Sequence, residues 1–143
     1  MTELSLAIAG KILDAALAKA VEKNLKPVVV AVLDARGCLK VSAAQDGVSL
    51  LRFEIAHGKA YGALAMGIGS RALFERAQEQ SYFIGAVNTL AQGRMVPVPG
   101  GVLIHDDDGV LLGAIGVSGD TSDNDEICAV AAIEAAGLQA STE

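Results

Sequence analysis

The sequence has little aromatic character, no tryptophan, and few cysteines or histidines. Aromatic side chains make up 3% of its 143 residues, and it holds two cysteines and two histidines. Cys38 and Cys128 lie far apart in the chain, without a CxxC motif or a neighbouring histidine. Such spacing is typical of neither a structural zinc site nor a disulfide framework, so we expect no metal site and two buried, free thiols.

Basic residues are also scarce. Eleven Lys and Arg residues stand against seventeen Asp and Glu residues, which gives a net charge of −6. Because the basic residues are scattered rather than clustered, nucleic acid and an anionic membrane surface would repel the chain. The apolar runs are too short or too often interrupted to span a bilayer, and the first residues, Met1 to Leu4, lack the basic region of a signal peptide. We therefore expect a cytoplasmic protein that binds neither nucleic acid nor membranes.

Small and apolar residues, by contrast, are abundant. Apolar residues make up 52% of the chain, charged residues make up 20%, and there are 16 glycines. This composition predicts a single compact domain over residues 1–143, long enough to bury a sizeable core. So few charges leave more apolar surface than one small domain easily hides, and we therefore expect a homo-oligomer.

Hydrophobic periodicity predicts the order helix, hairpin, helices, hairpin, helix. The predicted strands cover residues 28–33, 39–43, 101–105 and 110–118, and each pair flanks a tight turn that forces antiparallel pairing. The predicted helices cover residues 4–25, 49–67, a segment capped by Ser70, and 122–138, whereas residues 82–90 fit a helix and a strand equally. The fold class is therefore α+β, with helices packed on an antiparallel sheet, and a Rossmann domain is excluded.

Glycines inside the predicted elements indicate close packing. Gly58 and Gly62 lie in the second helix, and Gly113 and Gly116 lie in the last of the predicted strands. A glycine in such a position weakens the element relative to alanine by about 1 kcal/mol. We therefore expect another part of the chain, or a ligand, to come close to each of them.

A candidate ligand-binding loop runs from Val96 to Gly101. Pro99 comes directly before Gly100 and Gly101, so a stiff residue is followed by two flexible ones. We expect their backbone N–H groups to be accessible, as they are in loops that cradle an anion. A shaped lead-in to the next strand accounts for the same residues equally well.

Arg52 and Lys59 form a candidate anion site on the second helix. The two residues are seven positions apart and therefore share nearly the same helix face. Two cations on one face suit a carboxylate or a phosphate group of a ligand. The alternative is a solvated face with no binding role.

His57 is the candidate catalytic residue on that helix. Glu54, His57 and Tyr61 share another face, and an imidazole between a carboxylate and a phenol has the partners that a general acid or base needs. The alternative is a histidine that is only a surface or core residue.

Asp120 is a second candidate for a catalytic base. It begins the oxygen-rich segment 120–126, whose spacing is not that of an EF-hand loop. A capping box that starts at Ser122 or at Asp123 explains the same residues without a metal ion, because acids in a first turn complement the helix dipole.

Five short segments carry a family signature. They are Val32–Gly37, Gly58–Ala60, Pro99–Val102, Gly113–Gly119 and the pair Cys128-Ala129 in the last helix. In this order they resemble the GlcG/HbpS-type haem-binding family and the related C-terminal domain of PduO-type cobalamin adenosyltransferases, over nearly the whole chain. The resemblance implies a profilin-like fold, in which helices flank a five-stranded antiparallel sheet, and it implies a homo-oligomer.

The resemblance also implies haem as a candidate cofactor. In haem-binding relatives an axial histidine comes from near the N-terminal helix, but this sequence has no histidine before His57. A haem ligand in this chain would therefore be His57 or His105, and we expect haem binding to be weak.

Three hypotheses for the function stay open at this point. The first is a cytoplasmic, oligomeric protein, accessory to a catabolic pathway, that binds an anionic small molecule between the second helix and the glycine loop. Its ligand-binding residues would be Arg52, Lys59, Pro99, Gly100 and Gly101. The second is an enzyme acting on a small organic acid, with His57 or Asp120 as its base. The third is a haem-binding or haem-degrading protein.

Overall fold

A computed structural model describes residues 3–143 of the chain, and within them it contains five helices and five strands. The helices are α1 (Leu6–Glu22), α2 (Arg52–Met66), α3 (Ser70–Glu79), α4 (Ser81–Leu90) and α5 (Ser122–Ala135). The strands are β1 (Val29–Asp34), β2 (Leu39–Ala44), β3 (Gly101–His105), β4 (Leu111–Ser118) and β5 (Gln139–Ser141). None of the helices in the described residues is both long enough and apolar enough to cross a lipid bilayer.

The five strands form one antiparallel sheet in the order β2-β1-β4-β3-β5. Each predicted hairpin is present, and β1 pairs with β4 to join the two hairpins at the centre of the sheet. The predicted α+β class and the five-stranded antiparallel sheet flanked by helices are therefore confirmed.

The C-terminal region differs from the sequence prediction. The last helix ends at Ala135 rather than near residue 138, and Gly137 adopts a left-handed conformation with φ of 76°. A left-handed glycine is a common way to end a helix. The chain then turns back, so that residues 139–141 pair with β3 as the edge strand β5. Residues 82–90, which fit two structures equally, lie in α4.

The caps predicted for α3 and α5 are wrong, because each helix begins at a different residue from the one predicted. Ser70 is the first residue of α3 rather than its cap, and its buried Oγ accepts a hydrogen bond from the Gly101 N–H at 2.7 Å. This serine thus ties α3 to β3. At α5 the cap is Thr121, whose hydroxyl accepts from the Asn124 N–H at 3.2 Å, so the helix begins one residue before a capping box at Ser122 would place it and two residues before one at Asp123.

The two thiols have different environments. Cys128 on α5 is buried, and burial raises the pKa of its thiol to about 11. Cys38, in the turn between β1 and β2, is exposed. The prediction that both thiols are buried is therefore wrong for Cys38, because the hairpin turn that holds it lies outside the core.

The sheet separates two apolar layers. Alternate residues of β1 point to opposite faces, so that Val30 and Val32 meet α1 and α5 while Ala31 and Leu33 meet α2. The layer with α1 and α5 is the larger one, and its central residues are large aliphatic side chains such as Ile115. The sheet is therefore covered by α1 and α5 on one face and by α2 on the other.

Small residues make up much of the contact between α2 and the sheet, beside the larger Leu33 and Leu103. Ala56 and Ala60 of α2 and Ala114 of β4 are fully buried there. Gly116 of β4 lies directly beneath the helix, and a Cβ at that position would lie 1.9 Å from the Ala56 carbonyl oxygen. The group that comes close to Gly116, as the sequence predicts, is the backbone of α2. This backbone could make room for a side chain only if the whole helix moved.

We predict that Gly116→Ala destabilises the protein by about 1–3 kcal/mol, because the new methyl group forces α2 away from the sheet. The control is Gly85→Ala in α4, where an added Cβ meets nothing within 4 Å. There the change should stabilise by up to about 1 kcal/mol. Urea unfolding of both variants measures the difference, and equal stabilities would contradict this packing.

Candidate functional site

A buried ion pair lies at the end of β4. The side chain of Lys59 is 2% exposed, and its Nζ donates to Asp125 Oδ2 at 3.1 Å and to the Val117 carbonyl oxygen at 2.9 Å. Burial lowers the pKa of Lys59, and the Asp125 carboxylate opposes that effect. Because Lys59 belongs to α2 and Asp125 to α5, the pair connects the two helical layers around the end of the sheet.

Asp120 lies next to this pair, in the loop that leads into α5. Its carboxylate accepts hydrogen bonds from Asn124 Nδ2, from the Lys26 N–H and from the Thr121 N–H. These bonds, with that from Asn124 the strongest, lower the pKa of Asp120 below its usual value. A carboxylate stabilised in this way is a weak base, and its bonds give it a structural task in the loop. A catalytic role for Asp120 stays a prediction.

The structure brings the two predicted anion-binding cations to the same end of β4. Arg52 Nη1 donates to Ser118 Oγ at 3.2 Å, and Lys59 binds the adjacent residue of the strand. Arg52 is half-buried, whereas the ammonium of Lys59 is enclosed and paired with Asp125. Binding of a carboxylate by the two cations stays a prediction, with Arg52 the more accessible of them.

The loop from Pro99 to Gly101 packs against Lys59. A Cβ at Gly100, whose φ is 126°, would lie 2.8 Å from Lys59 Nζ, and a Cβ at Gly101 would lie 2.2 Å from the Lys59 carbonyl oxygen. The expectation of accessible N–H groups is wrong for Gly101, because its N–H is buried and donates to Ser70. Both glycines are therefore required by the close approach of α2. Ligand binding by Pro99, Gly100 and Gly101 stays a prediction.

A cavity of about 440 Å³ lies on another side of α2, between the start of that helix and the segment after α4. Its lining is Leu39, Leu51, Phe53, Glu54, Ile55, His57, Gly93, Arg94 and Val96. Aliphatic and aromatic side chains make up most of this wall, and the groups that can carry charge are one carboxylate, one imidazole and one guanidinium. The cavity therefore suits a molecule with an apolar body and few polar groups.

Three rings of α2 follow one another beside this cavity: His57 stacks on Tyr61 and is tilted against Phe53. The distance between ring centroids is 5.8 Å from His57 to Phe53 and 6.2 Å from His57 to Tyr61. The Arg94 guanidinium lies over the Tyr61 ring at 4.5 Å. Burial, and next the positive charge of Arg94, lower the pKa of His57 below 6.5. At pH 7 the imidazole is therefore neutral and has a free lone pair for a metal or a proton.

The structure unites some of the predicted residues and separates others. Glu54 and His57 line the same cavity, as their shared helix face predicts, whereas Asp120 and His105 are not part of its wall. Within residues 3–143, no group of three or more His, Cys, Asp and Glu side chains is placed to hold a metal ion.

The sequence interpretation missed Arg94. One signal was available, since Arg94 is the only Lys or Arg among residues 77–143. Gly58 gave a second signal, because its missing side chain admits Val96, whose Cγ2 would lie 2.5 Å from an added Cβ. The glycine thus lets the segment that carries Arg94 lie against α2.

We predict that Lys59→Met destabilises the protein by about 3–5 kcal/mol, because it leaves the Asp125 carboxylate buried without its counter-ion. Adding Asp125→Asn to that variant should recover part of the loss. The control is Lys19→Met, which removes an exposed pair with Glu22 and should cost less than about 1 kcal/mol. Chemical denaturation measures all three, and a small loss for Lys59→Met would refute the role of the pair.

We predict that His57 titrates below 6.5 in the folded protein and that Arg94→Gln raises its pKa. Since the unfolded chain binds this proton more readily, His57 lowers stability as the pH falls below 6.5. NMR titration of the imidazole protons measures the pKa. Arg36→Gln, on an exposed hairpin, is the control and should leave it unchanged. A pKa above 6.5, or the same shift in both variants, would contradict this electrostatic picture.

Comparison with known proteins identifies relatives along most of the chain. A family model described as "Haem degrading protein HbpS-like" matches residues 4–134. The chain is 34% identical over 109 residues to corrinoid adenosyltransferase PduO of Salmonella typhimurium, a match that covers 76% of this chain and 32% of that protein. The chain thus spans about a third of this relative. It is also 32% identical to a 15.0 kDa protein from the dhaT-dhaS intergenic region of Citrobacter freundii, over 92% of this chain and 90% of that protein.

Solved structures show the same fold. The PduOC:haem complex superposes with a TM-score of 0.85 at 29% identity, over 95% of this chain and 96% of that one. Protein ORFY of Klebsiella pneumoniae superposes with a TM-score of 0.85 at 27% identity, over 96% of this chain and 92% of that one. A double mutant of HbpS from Streptomyces reticuli superposes with a TM-score of 0.80 at 26% identity, over 94% of this chain and 88% of that one. These matches confirm the resemblance drawn from the sequence segments, and the chain belongs to the HbpS-like family.

Proposed function

We propose that this chain is a ligand-binding protein that takes haem in the cavity beside His57. One observation carries the proposal: the imidazole of His57 stands in a largely apolar cavity wall that also includes the Arg94 guanidinium. The related chain PduOC, which has the same fold, has been crystallised as a complex with haem, and this supports the choice of ligand.

The residues of the cavity fit the chemistry of haem. A haem ligand must offer a neutral nitrogen to the iron, and His57 is neutral at pH 7. The porphyrin needs apolar walls, which Leu51, Phe53 and Val96 supply. The propionates need a cation, and Arg94 is exposed at the same cavity. Bound haem would supply a redox-active iron, held by His57 and oriented by Arg94.

The broader setting of this function is also proposed. The alternative from the sequence, an anionic small molecule held by Arg52 and Lys59 beside the Pro99–Gly101 loop, is a separate proposal, because none of these residues lines the cavity beside His57. We propose that residues 1–143 form one domain, that the protein is cytoplasmic and self-associates, and that it is accessory to a catabolic pathway. If the protein instead acts as an enzyme on a small organic acid, the neutral imidazole of His57 is its best-placed base.

We predict that the purified apo-protein binds haem with a Soret shift and that His57→Ala weakens binding at least about tenfold, a loss of ~1.4 kcal/mol. His105→Ala, which changes the other histidine at the end of β3, is the matched control and should bind like the wild type. Titration followed by absorption and fluorescence quenching measures the affinities. Equal binding by wild type and His57→Ala would exclude this site, and loss in His105→Ala alone would move it to β3.

The role of Arg94 has a separate test. Arg94→Gln should weaken haem binding about tenfold, the cost of one charge-assisted hydrogen bond to an exposed carboxylate. It should leave binding of haem dimethyl ester, which has no free carboxylate, unchanged. If the substitution weakens both ligands equally, Arg94 shapes the cavity and does not bind the carboxylate.

A further inference from the structure

The surface of α4 is unusual for a protein with so many acids. Residues 80–93 contain no Asp, Glu, Lys or Arg, and they are the longest uncharged stretch of the sequence. Other long uncharged stretches supply the buried strands β3 and β4. On α4, in contrast, Tyr82 is 74% exposed and Leu90 is 83% exposed. Large apolar side chains exposed on a helix that has no charged residue of its own mark a surface that another molecule covers.

The exposed residues of α4 share one face of the helix. Ser81, the first residue of the helix, is exposed too, and at 3.6 residues per turn the five exposed residues that follow it lie within an arc of about 140°. They are Tyr82, Gly85, Ala86, Thr89 and Leu90, which we name the α4 face. Ile84 points the other way and is buried, so the helix is held to the body of the protein by its opposite side. Small residues at the centre of the α4 face leave room for another helix to approach closely.

We propose that the α4 face is where two copies of this chain associate, with the two α4 helices packed antiparallel about a twofold axis at Ala86. In that arrangement the residue four positions before Ala86 in one copy lies opposite the residue four positions after it in the other. Tyr82 of each copy therefore meets Leu90 of the other. One large apolar side chain at each end and small ones between them make the face complementary to itself, as a twofold interface requires.

Charge favours a second copy as the occupant. Each copy carries a net charge of −6, so contact between copies is least costly through a surface without charges, and the α4 face has none. A basic partner protein would instead fit the acidic parts of the chain. The α4 face also adjoins the proposed haem cavity, because Gly93 lines both that cavity and the groove along Gly85 and Thr89. A second copy there would border the mouth of the cavity.

This inference rests on the proposed self-association and not on haem, so the apo-protein is used. The face of one short helix is smaller than the about 800 Å² per partner of tight complexes, and we expect association in the micromolar range. Sedimentation velocity should show wild-type protein above the monomer mass of 14.6 kDa at high concentration. A monomeric wild type at every concentration would overturn both proposals.

Substitutions at the twofold axis locate the interface. Ala86→Glu and Ala86→Lys each place two like charges together and should each weaken association at least about tenfold. A mixture of the two variants pairs opposite charges and should restore it, which also proves that both are folded. Val21→Glu, at an apolar residue of α1 that is 71% exposed, is the control and should associate like the wild type. Two results would show that the copies associate through another surface than the α4 face: association of the Ala86 variants as strong as that of the wild type, or a mixture of the two variants that stays dissociated. Neither result would contradict self-association itself.

Discussion

The buried pair of Lys59 and Asp125 is the constraint on which the arrangement of the layers depends. A lone lysine in this position would be too costly to desolvate, so α2 and α5 must dock in the one register that joins the two charges. The second oxygen of Asp125 accepts from the Asp120 N–H and thereby fixes the start of α5 as well. The contact between α2 and the sheet is largely made of alanine and glycine beside a few larger side chains, and such a surface fixes the position of the helix less sharply than a charge pair does.

Docking α2 in that position decides where the candidate site can be. Lys59 faces the end of β4, Gly58 admits the segment after α4, and His57 is left beside the remaining space. The imidazole is thus placed on a rigid helix whose orientation is set from its other side. Partial burial and a nearby guanidinium then keep it neutral. A change at the ion pair would therefore reach the cavity through the position of α2, without touching the cavity wall.

Local patterns were enough to predict much of this fold but only part of the site. Both hairpins follow from turn chemistry and alternation, and the close approaches at Gly58 and Gly116 follow from the cost of glycine in a helix or strand. The strand β5 could not be predicted in this way, since three residues carry no period and their pairing depends on a turn at Gly137. The partners of Lys59 and Arg94 come from α5 and from α2, far away in sequence, so their roles depend on tertiary contacts that no local spacing encodes.

The contrast between the two cysteines gives the molecule a built-in pair of chemical probes. Cys38 is exposed in a hairpin turn, whereas the thiol of Cys128, with a pKa of about 11, is protonated and enclosed in the core. An alkylating reagent at neutral pH should therefore react at one position of the native chain and reach the other when α5 opens. A fluorophore can thus be attached to the hairpin without mutagenesis, while the slow labelling of the second thiol reports the opening rate of the helix that carries Asp125.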